Sequence, residues 1–323
     1  MSKTQDVTAP EWMYENGPYS DERHGFRIER VYFRGRTKYQ EMLIAHNPFY
    51  GKMLFIDGAP QSAQRDEYMY HEALAHPAMC MHPNPRNVLL LGGGPGAALR
   101  EILRHKSVVR ATMVDIDGEL VEECRRLMPE WSEGAFEDPR VKLVIGDGKA
   151  WLEKSEEDFD VIIMDLTDQV DLGPSFPLYT HDFFKTLKAH LKRGGIAVVQ
   201  SGSFSGVETF SFCSIRRTLE SVFGHARGYS HYIPSFFSEW AFVLASELPL
   251  KTLRGISSLD RTIAGRTDSS LRFYDGETHL RMMMQPKDVR EILDKAGVII
   301  KKRHEFTEAY ERHYGSRFTL GGR

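Results

Sequence analysis

Cysteine is scarce in this chain: three residues, Cys80, Cys124 and Cys213, lie far apart with no paired spacing. That argues against a disulfide framework or a cysteine-built zinc site and suits a reducing compartment, so the expected location is the cytoplasm. No apolar run reaches the roughly 18 residues that a spanning helix needs, and MSKTQDVTAPEW has no apolar stretch behind a basic start. Neither membrane spanning nor secretion is supported. Charge of one sign is also missing, since Lys+Arg 42 against Asp+Glu 45 leaves a net −3. No global positive field draws the protein to nucleic acid. Gly 27 and Pro 15 are scattered without period, while 41% hydrophobic and 27% charged residues suit a soluble globular protein.

What is present is a series of short apolar runs separated by helical patterns. The first 25 residues are polar and aromatic without clear period, and are read as an N-terminal extension. IERVYFRGRTKYQEMLIA and NPFYGKMLFIDG then look like strands joined by turns, predicting a small antiparallel β domain over residues 26–64. RDEYMYHEALAHPAMCM predicts a helix that ends before the proline-rich HPNPR. NVLLLGGG, ATMVDIDG, VKLVIGDG, FDVIIMDLTD and IAVVQSG follow as strands alternating with helices, almost wholly apolar, as a parallel sheet covered on both faces requires. The fold class is α/β: a doubly wound, methyltransferase-like Rossmann sheet over residues 65–250 behind the small β domain. Residues 251–323 are expected to form a helical extension, with PKDVREILDKAG as one amphipathic helix.

Gly92, Gly93, Gly94 and Gly96 stand between a buried strand and a helix beginning near Ala97. Glycine there lets the backbone pass close to a ligand, and amides at the helix start offer donors. The next strand ends in VDID, which puts Asp115 within reach of ribose hydroxyls, while Asp117 serves as a helix cap. Asp147 ends the third strand, either accepting from an adenine amino group or capping KAWLEK. The turn reads Gly-Gly-Gly-Pro-Gly, without the GxGxxG spacing or a P-loop lysine. Strand-end carboxylates repel phosphate and suit an adenosine with a cationic tail, pointing to a sulfonium nucleoside.

Asp165 and Asp168 end the fourth strand, at the edge where open parallel sheets carry their chemistry. Tyr68, Tyr70, Phe176, Tyr179, Phe236, Phe237 and Trp240 surround them in the sequence pattern, with Glu67 and Glu72 expected as acids at the mouth. Carboxylates among aromatic faces describe a slot for a flexible organic polycation. His71 and His76 are five apart, a poor ligand pair on a helix, and no metal is expected.

Taken in order, RTKYQEMLI, LFIDGAPQSAQRDEYMYHEALAHPA, PRNVLLLGGGPGAALREILRH, VDIDGELVEECRRLMPE, GDGKAWLE, FDVIIMDLTD, LYTHDFF and IPSFFSEWAFVLAS resemble the polyamine aminopropyltransferases, the spermidine synthase family. The resemblance implies transfer of the aminopropyl group of decarboxylated S-adenosylmethionine, a co-substrate rather than a bound cofactor, to an amine, with release of methylthioadenosine. It implies that Gln40 and Gln61 lie near the sulfonium nucleoside, Asp115 on the ribose and Asp147 beside adenine. Asp165 resembles the catalytic aspartate, Tyr70 the ring that positions the attacking amine, and Asp168 the second amine-binding acid. His71 stands where many spermidine synthases carry glutamine, and Phe236 where a tyrosine is common; both look like the thermospermine and bacterial long-polyamine branch. Spermidine is the implied acceptor, with putrescine and agmatine as alternatives, and the implied assembly is a homodimer or homotetramer. Pro95 departs from the family, which normally places Asp or Glu there to meet the donor ammonium, and Gln169 replaces a common proline. Methyl transfer from intact S-adenosylmethionine and polyamine binding without turnover are the competing functions.

Overall fold

The computed structural model describes residues 5–16, 23–168, 173–204, 208–252, 255–268, 271–293 and 295–315, with side chains of the first strand described at residues 11–15. Five antiparallel strands open the chain: β1 (Gln5–Asn16), β2 (Arg23–Arg36), β3 (Glu41–Asn47), β4 (Gly51–Ile56) and β5 (Ala59–Ala63), paired in that order. Residues 5–16, expected to lie outside the sheet, are its edge strand, with Trp12 opposite Arg27 and Tyr14 opposite Gly25. An edge strand with little apolar burial carries no clean alternation, and Trp12 and Tyr14 are about half exposed.

Helix α1 (Glu67–Met81) leads into the second unit, and it is buried on nearly every side rather than along one stripe. There follow β6 (Asn87–Gly92), α2 (Ala97–Leu103), β7 (Arg110–Asp115), α3 (Gly118–Leu127), α4 (Pro129–Ser132), β8 (Val141–Ile145), α5 (Gly148–Lys154) and β9 (Phe159–Asp165). α6 (His181–Ala189), β10 (Leu191–Ser203), α7 (Phe210–Phe223), β11 (His225–Ile233) and β12 (Ser238–Ser246) complete a seven-stranded sheet of order β11-β12-β10-β9-β6-β7-β8. β10, β9, β6, β7 and β8 run parallel, while β12 and β11 add an antiparallel edge. The C-terminal part forms α8 (Ile256–Arg266), α9 (Gly276–Met283), α10 (Lys287–Leu293) and α11 (Arg303–Tyr314).

Both faces of the central strands are covered, which accounts for their unbroken apolar runs. Val88, Leu90, Val161 and Ile163 pack on one side with α1, α2, α8 and α9. Leu89, Leu91, Ile162 and Met164 pack on the other with residues of α5, α6, α7 and α11. β8 departs from this pattern: as the far edge it leaves Leu143 and Ile145 exposed despite an apolar sequence. A smaller cluster including Met42, Leu54, Leu120 and Trp131 fixes the first sheet against α3 and α4.

The strand order reverses between β6 and β9, where a crevice opens at the carboxyl edge. Gly92 pairs with Asp165 there at φ +81°, and a Cβ on Gly92 would lie 2.1 Å from the Asp165 carbonyl oxygen. Only glycine lets the two strand ends meet. Gly134 has almost the same φ, +82°, with nothing within 4 Å of its added Cβ. Gly134→Ala should therefore cost only the left-handed strain, about 1–2 kcal/mol, and Gly92→Ala roughly twice that or more because rigid backbone blocks the methyl group. Urea denaturation of the two variants measures the difference; equal losses would contradict the close approach.

Candidate active site

Two carboxylates reach the crevice because their strands end in register. Leu91 pairs with Val114 and Gly92 with Asp165, so Asp115 and Asp165 flank the first glycine of the turn. The turn is held from within: the Gly93 amide donates to the Asp165 carbonyl (3.1 Å), the Gly96 amide to the Gly93 carbonyl (2.7 Å), and the Gly94 amide to the Asp115 side chain. These glycines thus turn the Gly93 and Gly96 amides inward. Their use lies in close approach, with Gly94 packed on Leu120 and Gly96 at φ +84° turning the chain into α2.

Asp115 is buried, and its side chain accepts from the Asp117 amide at 2.9 Å. Burial pushes its pKa up to about 6; the Asp117 amide opposes the shift, while the charges of Asp117 and Asp165 add to it. Asp117 caps α3 by accepting from the Leu120 amide (3.1 Å), as the sequence predicts, and also takes bonds from Thr37 Oγ1 (2.6 Å) and Gln40 Nε2 (2.8 Å). Through Asp117, Gln40 of the first sheet is fixed beside the Asp115 edge. Gln61 lies partly exposed on β5. Asp147 is exposed beyond β8 and caps α5 through the Ala150 amide at 3.0 Å.

The second half of the site centres on α1. The Tyr70 hydroxyl donates to Asp165 Oδ1 at 2.7 Å. Burial raises the pKa of Asp165, against the pull of His71 and the Tyr70 hydrogen bond. Burial and the Asp165 charge hold the Tyr70 phenol well above its ordinary range, so it stays protonated. The Tyr70 ring meets His71 at 5.0 Å between centroids, Phe236 at 5.9 Å and Phe242 at 5.4 Å, and Phe236 packs edge-on against Trp240 at 4.8 Å. His71 is fixed as a donor at Nδ1 by the Glu67 carbonyl (2.7 Å), which only accepts. Asp168 takes a bond from Gln200 Nε2 at 3.0 Å, and Gln200 also donates to the Leu166 carbonyl.

Two expected mouth acids are placed elsewhere. Both oxygens of Glu67 are taken by Arg100 (3.0 and 3.2 Å), and one also bonds His71 at 2.9 Å. Burial raises its pKa, but His71 and Arg100 outweigh that and leave it lowered. Glu67 is the inner partner of a buried ion-pair network that continues through Glu101 to Arg104 and His76. Glu72 is also buried, accepting from the amides of Arg272, Phe273 and Tyr274. A helix buried all round gives no polar face from which sequence periodicity can separate surface acids from internal ones. Among the aromatics, Phe176 and Tyr179 are buried in the core behind the acids, and Phe237 turns away to pack on Phe26 and His24. Gln169, and Asp171, a further acid three residues after Asp168 in the sequence, lie outside the described residues.

Sequence reasoning missed Arg100, Asp66 and Gln200. Asp66 receives the Ser235 amide (2.7 Å) and hydroxyl (3.0 Å), which holds the turn bearing Phe236 against the start of α1. The signal for Arg100 was an ion pair of residues inside the otherwise apolar AALREIL. Among the described residues no group of His, Cys, Asp or Glu has the arrangement of a metal site.

A doubly wound sheet with a close glycine turn, a buried strand-end acid beside it and a phenol–carboxylate pair at its switch point defines a Rossmann-type, nucleoside-binding enzyme. The chain matches the Spermine/spermidine synthase domain over residues 67–253 and the Spermidine synthase tetramerisation domain over residues 11–63. It is 41% identical over 281 residues to polyamine aminopropyltransferase 2 of Pseudomonas aeruginosa, covering 87% of this chain and 80% of that protein. It is 39% identical over 285 residues to a thermospermine synthase of Arabidopsis thaliana, covering 87% and 83%. A spermidine synthase solved with the transition-state analogue AdoDATO superposes with a TM-score of 0.80 at 30% identity, over 91% of this chain and 98% of that one. The chain belongs to the spermine/spermidine synthase family, and it is a transferase.

The raised pKa of Asp115 has a consequence for the unliganded protein. A carboxyl held at about 6 in the fold and near its ordinary value when unfolded stabilises fully only below the unfolded value, and that stability is lost as pH rises through 6. Asp115→Asn, which removes the charge and keeps an acceptor, should therefore melt at a higher temperature than the parent at pH 7.5 and at the same temperature near pH 4. Thermal scans across that range check it, and a variant less stable at pH 7.5 would contradict the burial argument.

Proposed function

We propose that this protein moves the aminopropyl group of decarboxylated S-adenosylmethionine to spermidine or a related linear amine, releasing methylthioadenosine. The observation that carries the reading is the Tyr70 to Asp165 hydrogen bond, set beside the Gly92 turn at the sheet's switch point. In this reading Gln40, Gln61, Asp115 and Asp147, with the turn of Gly92, Gly93 and Gly94, hold the donor. Asp168, His71 and Phe236 line the acceptor side, and Glu67 serves it by fixing His71.

The reaction is a single in-line displacement. The amine lone pair forms the new C–N bond as the C–S bond breaks, and the bond pair leaves on sulfur, turning the sulfonium into the neutral thioether of methylthioadenosine. The product nitrogen then carries a surplus proton. Asp165 takes it through the oxygen not bonded to Tyr70, and its raised pKa makes it a better acceptor than an ordinary carboxylate. Because the Tyr70 hydrogen is committed to Asp165, the phenol oxygen offers the amine a lone pair and orients its N–H. Asp168 meets a second ammonium of the acceptor, and the methylenes rest on Phe236 and Trp240.

Pro95 supports a second donor reading. It stands in the glycine turn without a charge to meet a donor ammonium, which relaxes the bias against the carboxylate of intact S-adenosylmethionine. Competition calorimetry with the two nucleosides distinguishes them, and the aminopropyl reading expects tighter binding of the decarboxylated form. We further propose a homodimer or homotetramer in the cytoplasm, supported by the exposed aromatics Trp12 and Tyr14 on β1 and Phe49 in the turn after β3, and by the scarcity and wide spacing of cysteine.

Incubation with decarboxylated S-adenosylmethionine and, separately, putrescine, agmatine, norspermidine and spermidine should give an aminopropylated product with spermidine, identified by chromatography against thermospermine and spermine standards. Asp165→Asn should lower kcat by about 10²–10⁴ without changing the fold, and a variant with parental turnover would remove Asp165 from its role. Light scattering should give two or four times 37.0 kDa; a monomer would remove the assembly proposal.

A further inference from the structure

The C-terminal segment reaches the back of the acceptor side from outside the matched catalytic domain, which ends at residue 253. Arg303, the first residue of α11, donates from Nη2 to the Gly173 carbonyl at 3.1 Å, and its guanidinium lies 5.1 Å from the centre of the Phe176 ring. One turn later Phe306 meets the same Phe176 ring at 6.0 Å, with both side chains buried. Just before α11, the Ile300 carbonyl accepts from the His181 amide at 2.7 Å, so the segment from 173 to 181 is held at both ends.

That segment in turn holds the second acid. Ser175 Oγ lies 3.2 Å from Thr167 Oγ1 and 3.5 Å from the Asp168 carbonyl, and the Tyr179 hydroxyl donates to the Thr167 carbonyl at 3.2 Å. Gln200 Nε2 lies 2.8 Å from the Tyr179 hydroxyl and 3.0 Å from Asp168 Oδ1, sharing its two hydrogens among these and the Leu166 carbonyl. A continuous path of hydrogen bonds and ring contacts therefore runs from Arg303 and Phe306, through Gly173, Phe176, Ser175 and Tyr179, to the backbone and carboxylate of Asp168.

We infer that Arg303 and Phe306 are positioning residues for the acceptor, setting the height and orientation of Asp168 while leaving the donor half untouched. This rests on the reading of Asp168 as the acid that meets an acceptor ammonium. A longer acceptor with its charge farther from the reacting nitrogen depends more on the exact place of that acid than a short diamine does, so the C-terminal segment contributes to acceptor choice. Arg303 suits the task better than lysine, because one planar guanidinium can reach a carbonyl edge-on while facing a ring. The donor-side groups lie elsewhere: Asp115 ends β7, Asp117 caps α3, and Gln40 precedes β3 and bonds Asp117.

Steady-state kinetics on Arg303→Ala, Asp168→Asn and the double variant, varying donor and spermidine separately, test the inference. Arg303 is exposed, so its loss should leave the melting temperature nearly unchanged. Arg303→Ala should raise the spermidine KM about fivefold with the donor KM unchanged, and should add less than about twofold in the Asp168→Asn background, because the two act through one path. Phe306→Leu should reproduce the acceptor effect, and Arg303→Lys should recover part of it. If Asp168→Asn raises the spermidine KM and Arg303→Ala does not, the positioning role is overturned while the site reading stands. Full additivity of the two single effects, or an equal rise in the donor KM, would also overturn it. An unchanged spermidine KM in Asp168→Asn would overturn the reading of Asp168 and the inference together.

Discussion

The hydrogen bond from the Tyr70 hydroxyl to Asp165 joins the helix that leaves the first sheet to the central strand of the second. Its 2.7 Å geometry depends on α1 being fixed independently at several other points. Asp66 grips Ser235, Glu67 pairs with Arg100, Glu72 takes three backbone amides, and His76 meets Glu101. Each of these polar groups is buried, and an unpartnered one would cost about 1–3 kcal/mol. Helix α1 therefore has one position in which all of them are satisfied, and in that position the phenol meets the carboxylate. The Gly92 approach does the same for the other side of Asp165, since the strand pairing there tolerates no side chain.

Acidic residues are divided between two kinds of work. Glu67 and Glu101 have cationic partners, and burial is outweighed in both, leaving their pKa values lowered. Asp115 and Asp165 are also desolvated, but among the described residues no arginine or lysine pairs with them, and their pKa values rise. The crevice thus keeps carboxylates whose mutual repulsion and desolvation are relieved by a cationic ligand. A sulfonium donor and a polyammonium acceptor both supply that charge, so binding of substrate offsets strain already present in the unliganded site. Neutral or anionic nucleosides gain nothing comparable there.

Much of this was legible in the chain. Apolar runs alternating with helical patterns identify the parallel sheet, because strands covered on both faces need no polar positions. The residues at their ends, Gly92, Asp115, Asp147 and Asp165, fall at one edge as a direct result of that topology. What the chain concealed was partnership. Glu67 and Glu72 look like surface acids beside aromatic residues, and only the approach of α2 and of residues 272–274 removes them from the cleft. β1 was invisible because an edge strand with half-exposed aromatics has neither the alternation nor the apolar density of the other strands, and the long path from α11 to Asp168 spans more than a hundred residues of sequence.

The most direct test of the account is a crystal structure of the protein with methylthioadenosine and spermidine bound together. The account predicts one spermidine nitrogen within hydrogen-bonding distance of both the Tyr70 hydroxyl and the second oxygen of Asp165, directed toward the sulfur, with another ammonium at Asp168 and the ribose hydroxyls on Asp115. Spermidine bound with no nitrogen near Asp165, or a nucleoside whose sulfur faces away from the Tyr70 to Asp165 pair, would contradict it.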